Sequence, residues 1–169
     1  MSIDMVVPLT WLALGTVIVV SSLRARRSRR AYLVGVVSVS GLWVVAGALV
    51  NALFLSRGDD YSGFADGAPV AWVTDTWESL VVPHHTFFIG LLIAFEAVVG
   101  ALVLVAGPAR QASLLLLVAF NVAVVSFGLA YLAWTVPMVL ALTLLWRAGR
   151  QPQAEDGPAR SLTSSTRSS

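Results

Sequence analysis

The sequence predicts an all-α polytopic transmembrane helix bundle, and three observations carry that reading. Hydrophobic residues make up 57% of the chain and charged residues only 12%, about half the charge that an ordinary soluble surface uses. The apolar residues gather into unbroken runs of roughly 18 residues or more, the length of a membrane span, instead of alternating with polar ones. The remaining charges are segregated, with arginines at certain run ends and acids in one connecting loop. Lipid is the solvent that such a chain requires.

The first apolar run, Met5 to Leu23, ends in Arg24, Arg26, Arg27, Arg29 and Arg30, the mark of a cytoplasmic end. A cleaved signal peptide would carry its positive charge before the run, whereas here Asp4 precedes and arginines follow. The run therefore reads as a retained helix that enters from outside. A second run, Ala31 to Leu55, returns the chain to an external loop holding Arg57, Asp59, Asp60, Asp66, Asp75 and Glu78 and reaching His85. The third span, Thr86 to Ala106, ends at Gly107, Pro108 and Arg110 in a short cytoplasmic turn.

From Gln111 to Trp146 the chain is again apolar, and one helix of that length would measure about 54 Å against a hydrocarbon core of about 30 Å. Two spans, 111–130 and 131–146, give five in all. They would be joined by an external turn near Gly128 to Thr135, with Tyr131 and Trp134 at the headgroup level and Arg147 and Arg150 back in the cytoplasm. The alternative is four spans, with one long tilted helix bent at Pro137. Residues 1–150 are thus expected to form the transmembrane domain, with the N-terminus outside. The Ser-, Thr-, Pro- and Arg-rich residues 151–169 read as a disordered cytoplasmic tail.

Within the external loop, Val70, Val73, Trp77, Leu80 and Val81 recur at helical spacing between Pro69 and Pro83. That pattern predicts an interfacial helix, started at Pro69 and stopped by Pro83. It reads either as a lid that shields helix ends or as part of a reactive site.

Glu96 is the ionisable residue deep within a span, about 15 Å from either end of the third helix. A charged carboxylate there is expensive, so Glu96 is expected to be protonated, hydrogen-bonded or facing a wet cavity. Asn121, at similar depth on the next helix, is positioned to hydrogen-bond it across the hairpin, as packing glue or as part of a ligand site. His84 and His85 sit at the mouth of the third span. His85 and Glu96 fall on nearly the same face, about 16 Å apart, and could frame a pocket for proton uptake by a lipid-soluble carrier such as a quinone. The catalytic candidates are therefore Glu96 and His85, and the cofactor-binding candidates His84 and Asn121. Asn51 reads as a helix cap. Gly41, Gly47, Ala46 and Ala48 on the second helix, and Gly90, Ala94 and Gly100 on the third, read as small-residue packing surfaces.

No metal site is expected, because adjacent histidines diverge by about 100° on a helix and no third histidine or cysteine completes a zinc set. The chain has no cysteine at all, which excludes disulfides and thiolate chemistry. No phosphate loop, HExxH motif or nucleophile elbow occurs. The arginine cluster lacks interleaved aromatics and lies at a membrane edge, so its expected partner is anionic lipid and not nucleic acid.

The stretches AGALVNALF, YSGFADGAP and VVPHHTFFIGLLIAFEAVVGALVLVAG, with Glu96 and Gly100 as E-x-x-x-G, resemble the DoxX-like family of small bacterial membrane proteins. The resemblance covers roughly Ala31 to Trp146 and makes Met5 to Leu23 an additional helix in front. It implies a bacterial inner-membrane protein, an accessory or redox-linked and quinone-associated subunit with a redox partner protein. The cofactor stays unspecified, as does whether the chain is itself an enzyme. The reading from a different class is a membrane scaffold or small proton-coupled transporter in which Glu96 fixes packing or carries a proton.

Overall fold

The computed structural model describes residues 3 to 150, with side chains from Val6 onward, so the expectation for 151–169 lies outside the described residues. Those residues form helices and turns with no strand. Five helices are long and apolar enough to cross a membrane. They are α1 (Ile3–Arg24), α2 (Arg29–Ser56), α3 (Ala71–Leu102), α4 (Pro108–Phe127) and α5 (Leu129–Gly149). The chain is a multi-pass membrane protein with five spans.

The five-span arrangement replaces the four-span alternative for a local reason. The helix tightens to a 3-10 turn at Val125–Phe127, breaks at Gly128 and restarts as another 3-10 turn at Leu129–Tyr131. Glycine suits this close approach: a Cβ at Gly128 would lie 3.3 Å from the Gly67 carbonyl oxygen, tighter than an ordinary contact. Pro137 lies within α5 and does not end it. Trp134 packs edge-on against Trp11 of α1 at 5.2 Å, seated over Gly15.

Antiparallel passage through five helices sorts charge by end. Arg24 to Arg30, Arg110, Arg147 and Arg150 share one end, where Arg110 reaches Tyr32 at the start of α2. Asp59, Asp60, Asp66, Asp75 and Glu78 gather at the other. Between them lies an apolar core that includes Ile18, Val39, Trp43, Val99, Leu114, Leu117, Leu142 and Leu145.

Two helices depart from regular winding. α2 carries a π segment at Leu42–Leu49, whose wider turn frees a main-chain carbonyl. The Trp11 indole N–H takes that of Ala46 at 2.9 Å. In α3, a π segment (Trp77–Val81) and a 3-10 turn (Val82–His84) precede regular helix from His85 to Leu102. Regular winding is interrupted at Pro83 as expected, with His84 at φ −119° and ψ 28° just before the helix of the third span begins. Pro83 lacks an N–H, and the chain absorbs the loss with a 3-10 turn and one non-helical residue. The regular helix ends at Leu102, short of the expected Ala106, and Arg110 caps that end. Its Nε and Nη2 donate to the carbonyls of Val103 and Leu104 at 2.7 and 2.9 Å.

Candidate functional site

Glu96 is only 3% exposed and lies on the side of α3 that faces the π segment of α2. Gly47 makes room for it, since a Cβ there would fall 2.9 Å from Oε1 and 3.2 Å from Oε2. One turn further along α3, Gly100 meets Val44 and Trp43, where a Cβ would come within 2.8 Å of the Val44 side chain. The E-x-x-x-G spacing thus has a physical account: both residues form the face on which α3 approaches α2. Gly90 and Ala94 do not share that role, because Gly90 faces open space and Ala94 is exposed. Gly41 makes only a distant contact with Leu14.

The partner of the carboxyl is Asn51, whose Nδ2 donates to Oε2 at 2.8 Å. Two expectations change here. Asn51 is not a helix cap, and Asn121 does not bridge to Glu96. The Asn121 amide donates instead to the Leu117 carbonyl of its own helix at 2.7 Å, while its main-chain oxygen accepts from the Thr135 hydroxyl of α5 at 3.2 Å. Asn121 therefore joins α4 to α5, away from the acid. Asn51 stands one helical turn after Gly47, so the pair forms a notch and a donor on one face of α2.

Above Asn51 sits Tyr61, from the acidic loop between α2 and α3. Its hydroxyl donates to the Asn51 carbonyl at 3.1 Å and lies 3.5 Å from Oδ1. Tyr61 holds a left-handed backbone, φ 60°, which costs a non-glycine residue about 1–3 kcal/mol. Asp59 supports that turn by accepting from the Tyr61 N–H at 2.8 Å. Burial, then the charges of Asp59 and Glu96, push the Tyr61 phenol up to about 12. It therefore remains a neutral donor at ordinary pH.

The loop is folded down over this site. The Trp77 indole donates to the Tyr61 carbonyl at 2.9 Å, the Thr74 hydroxyl to the Ala65 carbonyl at 2.8 Å, and Gly63 N–H to the Glu78 carboxylate at 3.0 Å. Phe64, Trp77 and Phe127 close a triangle of rings with centroids 5.0–5.2 Å apart, and Tyr131 flanks Phe64 at 6.2 Å. The first part of α3 is thus a lid held to the turn between α4 and α5. Its other side leaves Trp72 71% exposed.

The histidines are placed apart from the acid. His84 is exposed. His85 is half-buried, and its Nδ1 lies 2.9 Å from the Val82 carbonyl oxygen. A carbonyl only accepts, so Nδ1 carries a hydrogen and donates it. The exposed Asp60 is held below the usual carboxylate range by hydrogen bonds from Ser62 and, less strongly, by the charge of nearby His85. No hydrogen bond joins His85 to Glu96 among the described residues. Those residues also contain no cluster of three potential metal ligands.

What sequence reasoning missed is the pair Asn51 and Tyr61. The recurrence of Gly47 and Asn51 on one face was the available signal for the first. Tyr61 has none, because its position depends on a loop turn. Comparison with protein-family models, with curated proteins and with solved structures finds no match to this chain.

Proposed function

We propose that this membrane protein is a DoxX-like accessory subunit, redox-linked, in which Glu96 exchanges a proton with a quinone-type carrier. The observation that supports the reading best is the Asn51 bond to Glu96 beneath Tyr61. An amide N–H serves both states of a carboxyl, bonding a carboxylate oxygen or the carbonyl oxygen of the neutral acid. The other oxygen, Oε1, is then left to hold or release the proton. Reducing a quinone takes two electrons and two protons, which Glu96 passes one at a time, regaining each from water at the acidic end. With no cysteine in the chain, this reading assigns the electrons to a redox partner protein. Positive charge marks the cytoplasmic side, so this reading puts the arginine end there, the acidic lid and N-terminus outside, and the chain in a bacterial plasma membrane. A reporter fused after Arg150 tests the orientation and should show a cytoplasmic location.

The functional test is a reduced-minus-oxidised difference spectrum of the protein in mild detergent, with and without added short-chain quinone. Stoichiometric quinone in the wild type, lost in a folded Glu96→Gln variant, is the expected result. Equal quinone in both would remove Glu96 from the chemistry. No quinone signal in either, even after addition, would end the quinone reading.

A second reading is favoured by the close seating of Glu96 against Gly47. The acid would then be a packing group of a scaffold or a small transporter. On this reading Glu96→Gln leaves activity intact with a modest loss of stability.

A further inference from the structure

At the arginine end, a groove of about 330 Å³ runs between α1 and α2, lined by Thr16, Val17, Val20, Arg24, Ala31 and Val34, with Ser21 at its base. Its hydroxyl groups do not face an occupant. Thr16 Oγ1 donates to the Leu12 carbonyl at 2.7 Å, and Ser21 Oγ to the Ile18 carbonyl at 3.1 Å. The walls are therefore apolar despite two polar residues, and only a hydrocarbon occupant matches them. The volume lies at the lower limit of small-molecule cavities, roughly 300 Å³, enough for part of one chain and not for a bulky ring system. Arg24 is the single charge in the lining and stands at the groove's end, in the last turn of α1. No Asp or Glu belongs to the turn that follows it, while Arg27, Arg29 and Arg30 are exposed beside it.

We propose that this groove seats one acyl chain of an anionic phospholipid, with the lipid phosphate held at Arg24. Charge complementarity selects the occupant. A zwitterionic lipid offers the same chain but places a cation beside the arginines, whereas an anionic headgroup meets only positive charge. The site is separate from Glu96, so it stands or falls independently of the proton chemistry.

The test is native mass spectrometry of the detergent-purified protein, with melting temperature as a second readout. Phosphatidylglycerol and phosphatidylcholine with identical chains are added in parallel. One phosphatidylglycerol should stay bound per chain and raise the melting temperature more than phosphatidylcholine does. Arg24→Gln should weaken that retention on the order of fivefold, the effect of one arginine near an anionic surface. Arg27→Gln should weaken it less. Ala31→Leu fills the groove and should abolish the retention of either lipid. Equal retention of both lipids by the wild type would overturn the proposal. So would a phosphatidylglycerol preference that survives Arg24→Gln, which would indicate diffuse attraction to the arginine cluster. Should Ala31→Leu fail to fold, soluble glycerol phosphate decides the matter on the wild type: stabilisation equal to that by the intact lipid would exclude a seated chain.

Discussion

The two ends of this bundle are held by different kinds of contact. At the acidic end a loop, the start of α3 and the α4–α5 turn meet through rings and single hydrogen bonds, and this assembly covers a buried acid. At the arginine end the helices meet through apolar side chains, and Arg110 clamps the end of α3 while reaching Tyr32. Its guanidinium also lies 5.7 Å from the Tyr32 ring centroid. The difference teaches where change is tolerated. A chain of single polar bonds leading to one carboxyl yields more readily than a capped and packed helix end.

The strongest way to break this contrast is Gly47→Leu, which forces side-chain atoms into the space of the carboxyl. Overpacking there should cost about 3 kcal/mol or more, read as a large drop in melting temperature and loss of the Asn51 bond. Trp77→Ala comes next, at about 2 kcal/mol, since it removes two ring contacts and one hydrogen bond. Hydrogen exchange should rise through residues 57–70 and remain unchanged around 103–110. Equal acceleration at both ends would show that they are not independent.

Arg110→Gln should cost about 1 kcal/mol and reverse that pattern, with faster exchange at the end of α3 and a quiet lid. A double-mutant cycle of Asn51→Leu and Glu96→Gln should give a coupling of about 0.6 kcal/mol, the usual scale for polar pairs between membrane helices. A coupling of zero would mean that the bond does not form in lipid.

The last test is a pH dependence. The Tyr61 phenol is raised to about 12 in the folded protein from its ordinary 10. Above pH 10 the unfolded loop therefore releases a proton that the folded loop retains. The stabilisation is complete below pH 10 and is lost as pH rises towards about 12. Lid opening, followed by Trp77 fluorescence, should show an alkaline step that Tyr61→Phe removes.

The helices were legible because apolar run length reports span length directly, and the break at Gly128 followed from a run too long for one crossing. Glu96 stood out because an acid in a lipid-embedded helix needs a special environment. Its partner was harder to read. Asn121 matched Glu96 in depth, but depth does not determine rotation about the helix axis, and its amide turns back to Leu117. The π segment of α2 shifts the register of every later residue on that helix, and this is what brings Asn51 to the carboxyl. Nothing in the local sequence around Leu42–Leu49 signals that extra width. His85 has a local partner that spacing does not reveal. The main chain leaves helical dihedral angles at His84, just after Pro83, and the His85 ring takes the carbonyl of Val82.

The contact between Gly67 and Gly128 constrains the order of assembly. Residue 67 is synthesised and positioned long before residue 128 exists, and Phe127 belongs to the last turn to arrive at the acidic end. The ring triangle therefore cannot close during early synthesis, and the lid over Glu96 is not tied to the far side of the bundle until Phe127 is in place. Closure of the ring triangle thus waits for the end of α4, and a chain truncated after α3 would keep Tyr61 and Trp77 over the acid while lacking the Phe127 ring's tie to the rest of the bundle.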